Sequence, residues 1–436
     1  MDYTEALHYI DSHVALGVRP GLDRIEALLD DMGRPNEGYP IIHVAGTNGK
    51  TSTTRMATVL LVGHGLNTGT YTSPHLERVE ERLGVNGRYA TTDEFALAIS
   101  DVAAFADIRE SRGLEPSTYF ELLTAAAFAF FADQAVNAVV LEVGLGGRLD
   151  ATNVVDAEVC VVTSIGIEHT EYLGSDVATI AGEKLAIAGP NSILVSGPLP
   201  DPALEVAEQR ARDLGIHHRH YGKDFSVLDA ERGIGGWLTT IEGAEATYED
   251  IFLPLHGRYQ VVNLASAIAA TEALLGRRLD TEAVRAAATA MTAPGRMEPL
   301  GSDPLVMVDG AHNADGVIVL VESLKEEFPT TRWQILLGVL GDKNVEAMVT
   351  SLAPLAVGFV VTSPESGRAI SPLVLAARIE KLVDVPVLVS EDVGHAIDMA
   401  KAEAGPMGAV LVTGSLYLVG EVRGLLRKDE FGSGGG

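Results

Sequence analysis

Cysteine is almost absent from this chain of 436 residues: Cys160 is the single one, so an intramolecular disulfide is excluded. Basic residues are also scarce, with 32 Lys and Arg against 60 Asp and Glu and a formal net charge of −28. This acidic excess argues against a nucleic-acid or membrane-surface binder, because both need clustered positive charge. An anionic substrate must therefore meet positive charge that is concentrated in one site.

The chain also lacks a long apolar run and a secretory leader. Its most apolar stretch, residues 122–131, falls well short of the ~18 residues that a membrane span needs. The opening residues, MDYTEALHYIDSH, do not have the basic-then-apolar order of a signal peptide. Together with the single cysteine, these features predict a cytoplasmic protein without nucleic-acid or membrane partners.

Short apolar runs rich in β-forming residues alternate with helical stretches, the pattern of parallel α/β units. Between residues 225 and 255 the pattern changes to short strand-like pieces with glycine turns, which predicts an antiparallel edge. A second βα series follows Pro294-Gly295, a pair that breaks both helices and strands. We therefore predict an α/β protein. A P-loop-type, mostly parallel sheet is expected in residues 1–295, a smaller Rossmann-like domain in 296–430, and a flexible tail at 431–436.

The strongest motif is IIHVAGTNGKTST at residues 41–53, an apolar strand followed by a glycine loop and a helix start. Such a loop directs backbone N–H groups at phosphates, with Lys50 on the terminal phosphates and Thr51 near Mg²⁺. The match to G-x-x-x-x-G-K-[ST] is incomplete, since Val44 occupies the first glycine position. A glycine turn that only joins strand to helix is the alternative, and the complete strand–loop–helix context disfavours it.

The loop resembles the ATP loop of the muramyl ligase superfamily. Eight further stretches, in order along the chain, resemble one branch of it, the folylpolyglutamate synthase/dihydrofolate synthase family. These are YTSPHLERVEERLGVNG (71–87), LEVGLGGRLDATNVV (141–155), TSIGIEHTEYLG (163–174), GEKLAI (182–187), GRYQVVNLASAIAA (257–270), APGRMEPL (293–300), VDGAHNADG (308–316) and VTGSLYLVGEVR (412–423). The resemblance implies a monomeric ATP-dependent amide ligase. A folate or pteroate carboxylate attacks the γ-phosphate of ATP, and the amine of L-glutamate then attacks the acyl phosphate.

The same resemblance implies the residues that bind the substrates. ATP is assigned to Gly46, Thr47, Asn48, Gly49, Lys50, Thr51, Ser52, Asn263, Arg296 and Asp309. The folate side is assigned to Thr118, Tyr119, Phe120, Glu121, Leu149, Asp150 and Ala151, and the glutamate side to His312 and Ser415. The string TYFE is equally compatible with plain helix, and Asp and Asn after a strand are also typical of helix caps.

Two Mg²⁺ sites follow from the resemblance, the first held by Ser73 and Glu142 and the second by His169 and Lys184. Hard oxygens suit Mg²⁺, and a carboxylate at the end of a parallel strand faces the ligand crevice. Imidazole suits zinc or a hydrogen-bonding role better. Lys184 is expected to carry a carbamate, which requires a lowered amine pKa. With Lys50, the residues Glu142, His169 and Lys184 form the expected catalytic set.

Two points stay open. The acceptor is a reduced folate or dihydropteroate, because the motifs are common to both activities. A muramyl-type amino-acid ligase is one alternative, which predicts a uridine-nucleotide domain before the loop, and a P-loop ATPase without ligase chemistry is another.

The histidines of IHHRHY, His217, His218 and His220, lack the spacing of a zinc enzyme and are predicted to lie on the surface.

Overall fold

The computed structural model describes residues 1–432, with side chains of the last helix described through residue 427. Three sheets organise this part of the chain, one of eight strands, one of three and one of six. Within residues 1–432, no helix has both the length and the apolar character that crossing a membrane requires. The predicted tail overlaps the last two residues of the final helix, and its residues 433–436 lie outside the described residues.

The eight-stranded sheet has the order β4-β3-β2-β5-β1-β6-β7-β8, parallel except at β3 and β4. Its strands are β1 (Ile41–Ala45), β2 (Thr68–Tyr71), β3 (Leu83–Val85), β4 (Arg88–Tyr89), β5 (Ala138–Glu142), β6 (Val159–Val162), β7 (Ile193–Ser196) and β8 (His218–His220). The α-helices of residues 1–295 are α1 (Tyr3–Ser12), α2 (Asp23–Asp31), α3 (Lys50–Gly63), α4 (Thr92–Ser111), α5 (Tyr119–Asp133), α6 (Thr170–Leu173), α7 (Val177–Leu185), α8 (Asp201–Leu214), α9 (Tyr259–Leu275) and α10 (Thr281–Thr289).

The central strands β1, β5 and β6 are buried throughout and mostly apolar because helices cover both faces of the sheet. Along β1, Ile41 and Ala45 face the core beneath α1, α4 and α5. Their neighbours Ile42 and Val44 face the opposite core, which α3, α9 and α10 complete. Alternate residues of one strand therefore supply two separate cores, which explains the unbroken apolar run in the sequence.

The region 225–255 forms an antiparallel sheet of its own from β9 (Ser226–Gly233), β10 (Gly236–Glu242) and β11 (Thr247–Leu253). The antiparallel pattern was therefore predicted correctly, but its place as a sheet edge is wrong. The main sheet ends instead at β4 and β8. The small sheet stays separate from the main sheet. Its side chains Trp237, Ile241 and Ile251 pack against the core that includes α3 and α9, so helices cover its apolar face.

The third sheet has the order β12-β13-β17-β14-β15-β16, parallel except for its first strand. Its strands are β12 (Glu298–Ser302), β13 (Leu305–Val308), β14 (Trp333–Leu337), β15 (Ala356–Val361), β16 (Val387–Val389) and β17 (Ala409–Thr413). The accompanying helices are α11 (Ala314–Glu327), α12 (Val345–Leu352), α13 (Pro372–Ile379), α14 (Val393–Ala404) and α15 (Leu416–Gly432). Separate apolar cores cover its two faces, as in Rossmann-like domains.

Candidate active site

A cavity of about 720 Å³ lies where the carboxyl ends of the two large sheets meet. Loops that follow β1, β2, β5 and β6 of the first sheet line one side of it. Loops that follow β13, β14 and β17 of the six-stranded sheet line the other. Open α/β sheets bind ligands at this end of their strands, and here two such ends share one space.

The glycine loop after β1 is held in place by the loop after β6. Gly46 has φ +147, and a Cβ atom there would overlap the hydroxyl of Thr163, so only glycine fits. The Thr163 hydroxyl donates to the carbonyl of Asn48 at 2.7 Å. Lys50, the first residue of α3, folds back so that its Nζ donates to the Gly46 carbonyl at 2.8 Å. The ammonium thus lies over the loop that is expected to hold the phosphates.

Glu142 and Ser73 meet beside this loop. The Glu142 side chain is buried and accepts hydrogen bonds from Thr51 Oγ1 at 2.8 Å and from the Ser73 N–H at 3.1 Å. Burial raises the pKa of Glu142, and the nearby Lys50 opposes that shift. The Ser73 hydroxyl is buried without a hydrogen-bond partner in the described residues. An unpartnered hydroxyl next to an under-compensated carboxylate is a hard-oxygen set that fits Mg²⁺.

Lys184 and Glu168 form a buried ion pair on the other side of the loop. Lys184 Nζ donates to Glu168 Oε1 at 2.9 Å and to the Gly46 carbonyl at 3.1 Å. Burial lowers the pKa of Lys184, and Glu168 opposes that shift. His169, in the left-handed region with φ +47, is the N-cap residue before α6, and burial lowers the pKa of its ring. In residues 1–432, no three His, Cys, Asp or Glu side chains are grouped as metal ligands.

The second domain brings Asp309 and His312 to the cavity on the loop after β13. Both Asp309 oxygens are occupied, since they accept the backbone N–H groups of Met297 at 2.9 Å and Ala311 at 2.8 Å. Asp309 therefore joins the inter-domain linker to this loop. Burial lowers the pKa of His312 to about 4, so its ring is neutral near pH 7. The hydroxyl of Ser415, also in the cavity wall, accepts the N–H of Tyr417 at the start of α15.

The phosphate loop and the second domain touch directly. Asn313 caps α11 and its side-chain amide donates to Asn48 Oδ1 at 3.2 Å. Asn263 of α9 lies against the loop as well, since a Cβ on Gly49 would be 2.7 Å from its Oδ1. Arg296 follows the linker glycine and donates to the Gly295 carbonyl at 3.0 Å. One cavity wall therefore combines residues from both domains.

The structure brings most, but not all, of the expected site residues to the cavity. Those that line it are Gly46, Thr47, Asn48, Gly49, Lys50, Thr51, Ser52, Ser73, Glu142, His169, Lys184, Asn263, Arg296, Asp309, His312 and Ser415. Those that do not line it are Thr118, Tyr119, Phe120, Glu121, Leu149, Asp150 and Ala151. Of the second group, Phe120 lies directly behind the wall, because a Cβ on the wall residue Gly144 would be 2.5 Å from its ring.

The residues outside the lining have clear local contacts. Thr118 and Glu121 cap the start of α5 reciprocally, and Glu121 pairs with Arg24 at 2.9 Å. Asp150 accepts the N–H groups of Leu145 at 2.7 Å and Thr152 at 3.0 Å, which holds the glycine-rich wall after β5. Their role toward a folate stays a prediction.

Several charged residues of the cavity were missed by the sequence reasoning, namely Glu168, Asp315, Asp342, Lys343 and Arg368. Glu168 precedes the expected metal ligand His169, which was the available signal. The histidine prediction is right only for His217, which is exposed. His218 and His220 are half-buried, and both rings contact the Ser196 hydroxyl, at 2.7 and 3.0 Å, because β8 pairs with β7.

A phosphate-type glycine loop faced across one cavity by a second α/β domain defines a two-domain, nucleotide-dependent ligase. The family model of the Mur ligase middle domain matches residues 44–271 of the chain. The model of the Mur ligase, glutamate ligase domain matches residues 295–416.

Individual similar proteins indicate which family of Mur ligases the chain belongs to. The dihydrofolate synthase/folylpolyglutamate synthase of Mycobacterium tuberculosis is 38% identical over 94% of this chain and 91% of its own length. The Bacillus subtilis protein of that name is 32% identical, covering 98% and 99%. The M. tuberculosis folylpolyglutamate synthase structure with ADP superposes with a TM-score of 0.92, 36% identity and coverage of 98% and 99%. The chain belongs to the folylpolyglutamate synthase/dihydrofolate synthase family of Mur ligases.

Proposed function

We propose that this chain joins L-glutamate to the carboxylate of a folate or pteroate, with ATP as co-substrate and an acyl phosphate as intermediate. The observation that carries the proposal is the shared cavity, in which the phosphate loop faces the Asp309–His312 loop. Solved relatives support it: the M. tuberculosis folylpolyglutamate synthase binds ADP, and E. coli FolC was solved with DHPP and ADP. The E. coli structure has a TM-score of 0.88, 28% identity and 99% coverage of each chain.

The residues of the chain supply positioning and charge rather than covalent chemistry. Backbone N–H groups of the loop and Lys50 hold the phosphates, and Arg296 approaches them from the linker. Contact between the domains keeps water from the acyl phosphate and brings the glutamate amine to it. Ser73 and Glu142 would hold Mg²⁺, which supplies charge neutralisation at the phosphate oxygens when bound. Neutral His312, with Ser415, lies on the side assigned to glutamate.

The domain boundary belongs to the same proposal. We place it near residue 295, with an ATP-binding domain in 1–295 and a glutamate-ligase domain in 296–430. Two observations support this position. Gly295 has φ +68, a left-handed conformation that favours glycine at a turn, and the first strand of the six-stranded sheet starts at Glu298. A monomeric state and a cytoplasmic location stay predictions.

We further propose that Lys184 carries a carbamate near a second Mg²⁺. Its neutral amine would attack CO₂, so that an N–C bond forms and one proton leaves the nitrogen. Burial of Lys184, 2% exposed, and its lowered pKa support this chemistry. The ion pair with Glu168 opposes it, because Glu168 favours the ammonium form.

Labelled CO₂ tests the carbamate independently of activity. With ¹³C-bicarbonate and MgATP near pH 8, the wild type should show a carbamate carbon signal that Lys184→Ala lacks. Lys184→Ala should also lose turnover, and acetate should restore part of it by supplying the missing oxygens. A wild-type spectrum without that signal under these conditions would remove the proposal.

Release of ADP tests the function itself. Wild-type protein with ATP should release ADP only when both glutamate and an acceptor are present, and tetrahydrofolate and dihydropteroate are compared as acceptors. Turnover with one or both defines the acceptor, and mass spectrometry of the product gives its glutamate number. ADP release that ignores glutamate would favour an ATPase and overturn the ligase proposal.

A further inference from the structure

A short segment of the first domain, residues 73–77, is inserted into the second domain. The side chain of Leu76 packs against the apolar core beneath α14 and α15. A Cβ atom on Gly295 would be 3.2 Å from both Leu76 Cδ2 and Val419 Cγ1, so the linker and α15 form opposite walls around this side chain. Leu76 therefore occupies an apolar socket that belongs to the other domain.

The last helix approaches this segment closely only because Gly420 has no side chain. A Cβ atom on Gly420 would overlap the carbonyl oxygen of Leu76. One turn further along α15, a Cβ on Gly424 would meet no described atom within 4 Å. A glycine-to-alanine substitution would therefore collide with the backbone of Leu76 at position 420 and would meet open space at position 424.

One buried arginine joins the segment to the linker. The Arg423 side chain is 8% exposed, and its guanidinium contacts Glu77 Oε1 through Nη1. Its Nε donates to Glu298 Oε2 at 2.9 Å. Glu298 Oε2 also accepts the N–H of Gly295 at 2.8 Å. Arg423 thus bridges two carboxylates, Glu77 on the segment and Glu298 next to the linker.

The other end of the segment carries the candidate Mg²⁺ ligand. Ser73, three residues before Leu76, donates its N–H to Glu142 Oε2, while its hydroxyl is buried without a hydrogen-bond partner in the described residues. The Glu81 carboxylate accepts the N–H groups of Leu76 at 2.9 Å and Glu77 at 3.0 Å, which stiffens the segment. Leu76 and Ser73 therefore belong to one short segment that is held at both ends by carboxylates, Glu81 and Glu142.

We propose that Arg423 is a positioning residue for the reaction. By holding segment 73–77 in the socket of the second domain, it sets Ser73 beside Glu142 and couples the Mg²⁺ site to domain contact. The role of Ser73 rests on the proposed function, whereas the docking of the segment does not.

Two matched substitutions on α15 test the charge link. Arg423→Met should speed hydrogen exchange of the amides at 76–78 and raise the Mg²⁺ concentration for half-maximal activity on the order of tenfold. Arg427→Met is the control, because Arg427 is 48% exposed and reaches only Glu298, at 3.4 Å. Arg423→Lys keeps the charge but cannot contact Glu77 and Glu298 together as the guanidinium does. Its exchange rates and its Mg²⁺ concentration for half-maximal activity should lie between those of wild type and Arg423→Met. Equal exchange and equal Mg²⁺ dependence in Arg423→Met and Arg427→Met would overturn the proposal.

A second pair tests the same segment without any change of charge. Gly420→Ala should speed exchange at 76–78 and raise the Mg²⁺ concentration for half-maximal activity as Arg423→Met does, while Gly424→Ala should leave both at wild-type values. If Gly420→Ala matches Gly424→Ala in both measurements, the segment is not coupled to α15 and the proposal fails. Hydrogen exchange reports on docking even if the wild type shows no glutamate-dependent ADP release, a result that would overturn only the proposed function.

Discussion

Replacing Glu142 by Gln removes a charge while it preserves the shape and hydrogen bonds of the site. The amide oxygen can accept the Ser73 N–H, and the amide nitrogen can donate to the Thr51 hydroxyl, which reverses its role. Burial already disfavours the charged form of Glu142, whose pKa is raised. We therefore expect the free energy of unfolding of the ligand-free protein to change by less than about 1 kcal/mol.

The same substitution should abolish function. Loss of the carboxylate should lower glutamate-dependent ADP release on the order of 10²–10³-fold. MgATP at a hundred times its Kd stabilises the wild type by about 2.7 kcal/mol, a gain that Glu142→Gln should lack. Urea unfolding with and without MgATP measures this, and Glu272→Gln serves as control because Glu272 is fully buried outside the cavity. Equal stabilisation by MgATP in Glu142→Gln and wild type would refute the assignment.

Three further predictions test single residues. Lys50→Ala should lower ADP formation on the order of 10²–10³-fold with an unchanged circular dichroism spectrum, and activity within a few-fold of wild type would contradict the phosphate role. Asp309→Ala should reduce turnover and also stability, by about 1–3 kcal/mol in urea unfolding, because two buried N–H groups lose their acceptor. Burial lowers the pKa of His43 to about 3, so the unfolded chain binds this proton first as pH falls. His43 alone should therefore lower the unfolding free energy by about 2 kcal/mol between about pH 6.5 and 4.5, and His43→Gln should make the measured drop smaller by about that amount.

The sequence predicts the two α/β domains well because their strands are buried on both faces. A run such as residues 138–141 is apolar at every position, and only a central parallel strand or a buried helix needs that. The small sheet at 226–253 was harder to place. Its sequence pattern predicts antiparallel strands. The pattern does not tell whether these strands pair with the edge of the main sheet or pack their apolar face against the core that includes α3 and α9.

The site is predictable only where a motif is local. The glycine loop is contiguous, so its strand, turn and helix are readable from residues 41–53. Glu168 and Lys184 are sixteen positions apart and lie on different elements, so their ion pair depends on the packing of α7. The contact between Asn48 and Asn313 joins the two domains and has no signature in either segment. Contacts of this kind arise from tertiary packing, which no local pattern encodes.

The charge of the cavity lining differs from that of the whole acidic chain, which matters for the binding of anionic substrates such as ATP and glutamate. Its lining contains five cationic and five acidic side chains, Lys50, Lys184, Arg296, Lys343 and Arg368 against Glu142, Glu168, Asp309, Asp315 and Asp342. The lining is therefore balanced, 5 − 5 = 0, and the net charge of −28 lies elsewhere on the chain. A balanced lining does not repel ATP, but it has no excess positive charge to neutralise a triphosphate together with two carboxylate substrates. Divalent cations at the proposed hard-oxygen site of Ser73 and Glu142 would supply that charge, and we therefore predict that ATP binding to this cavity depends on Mg²⁺.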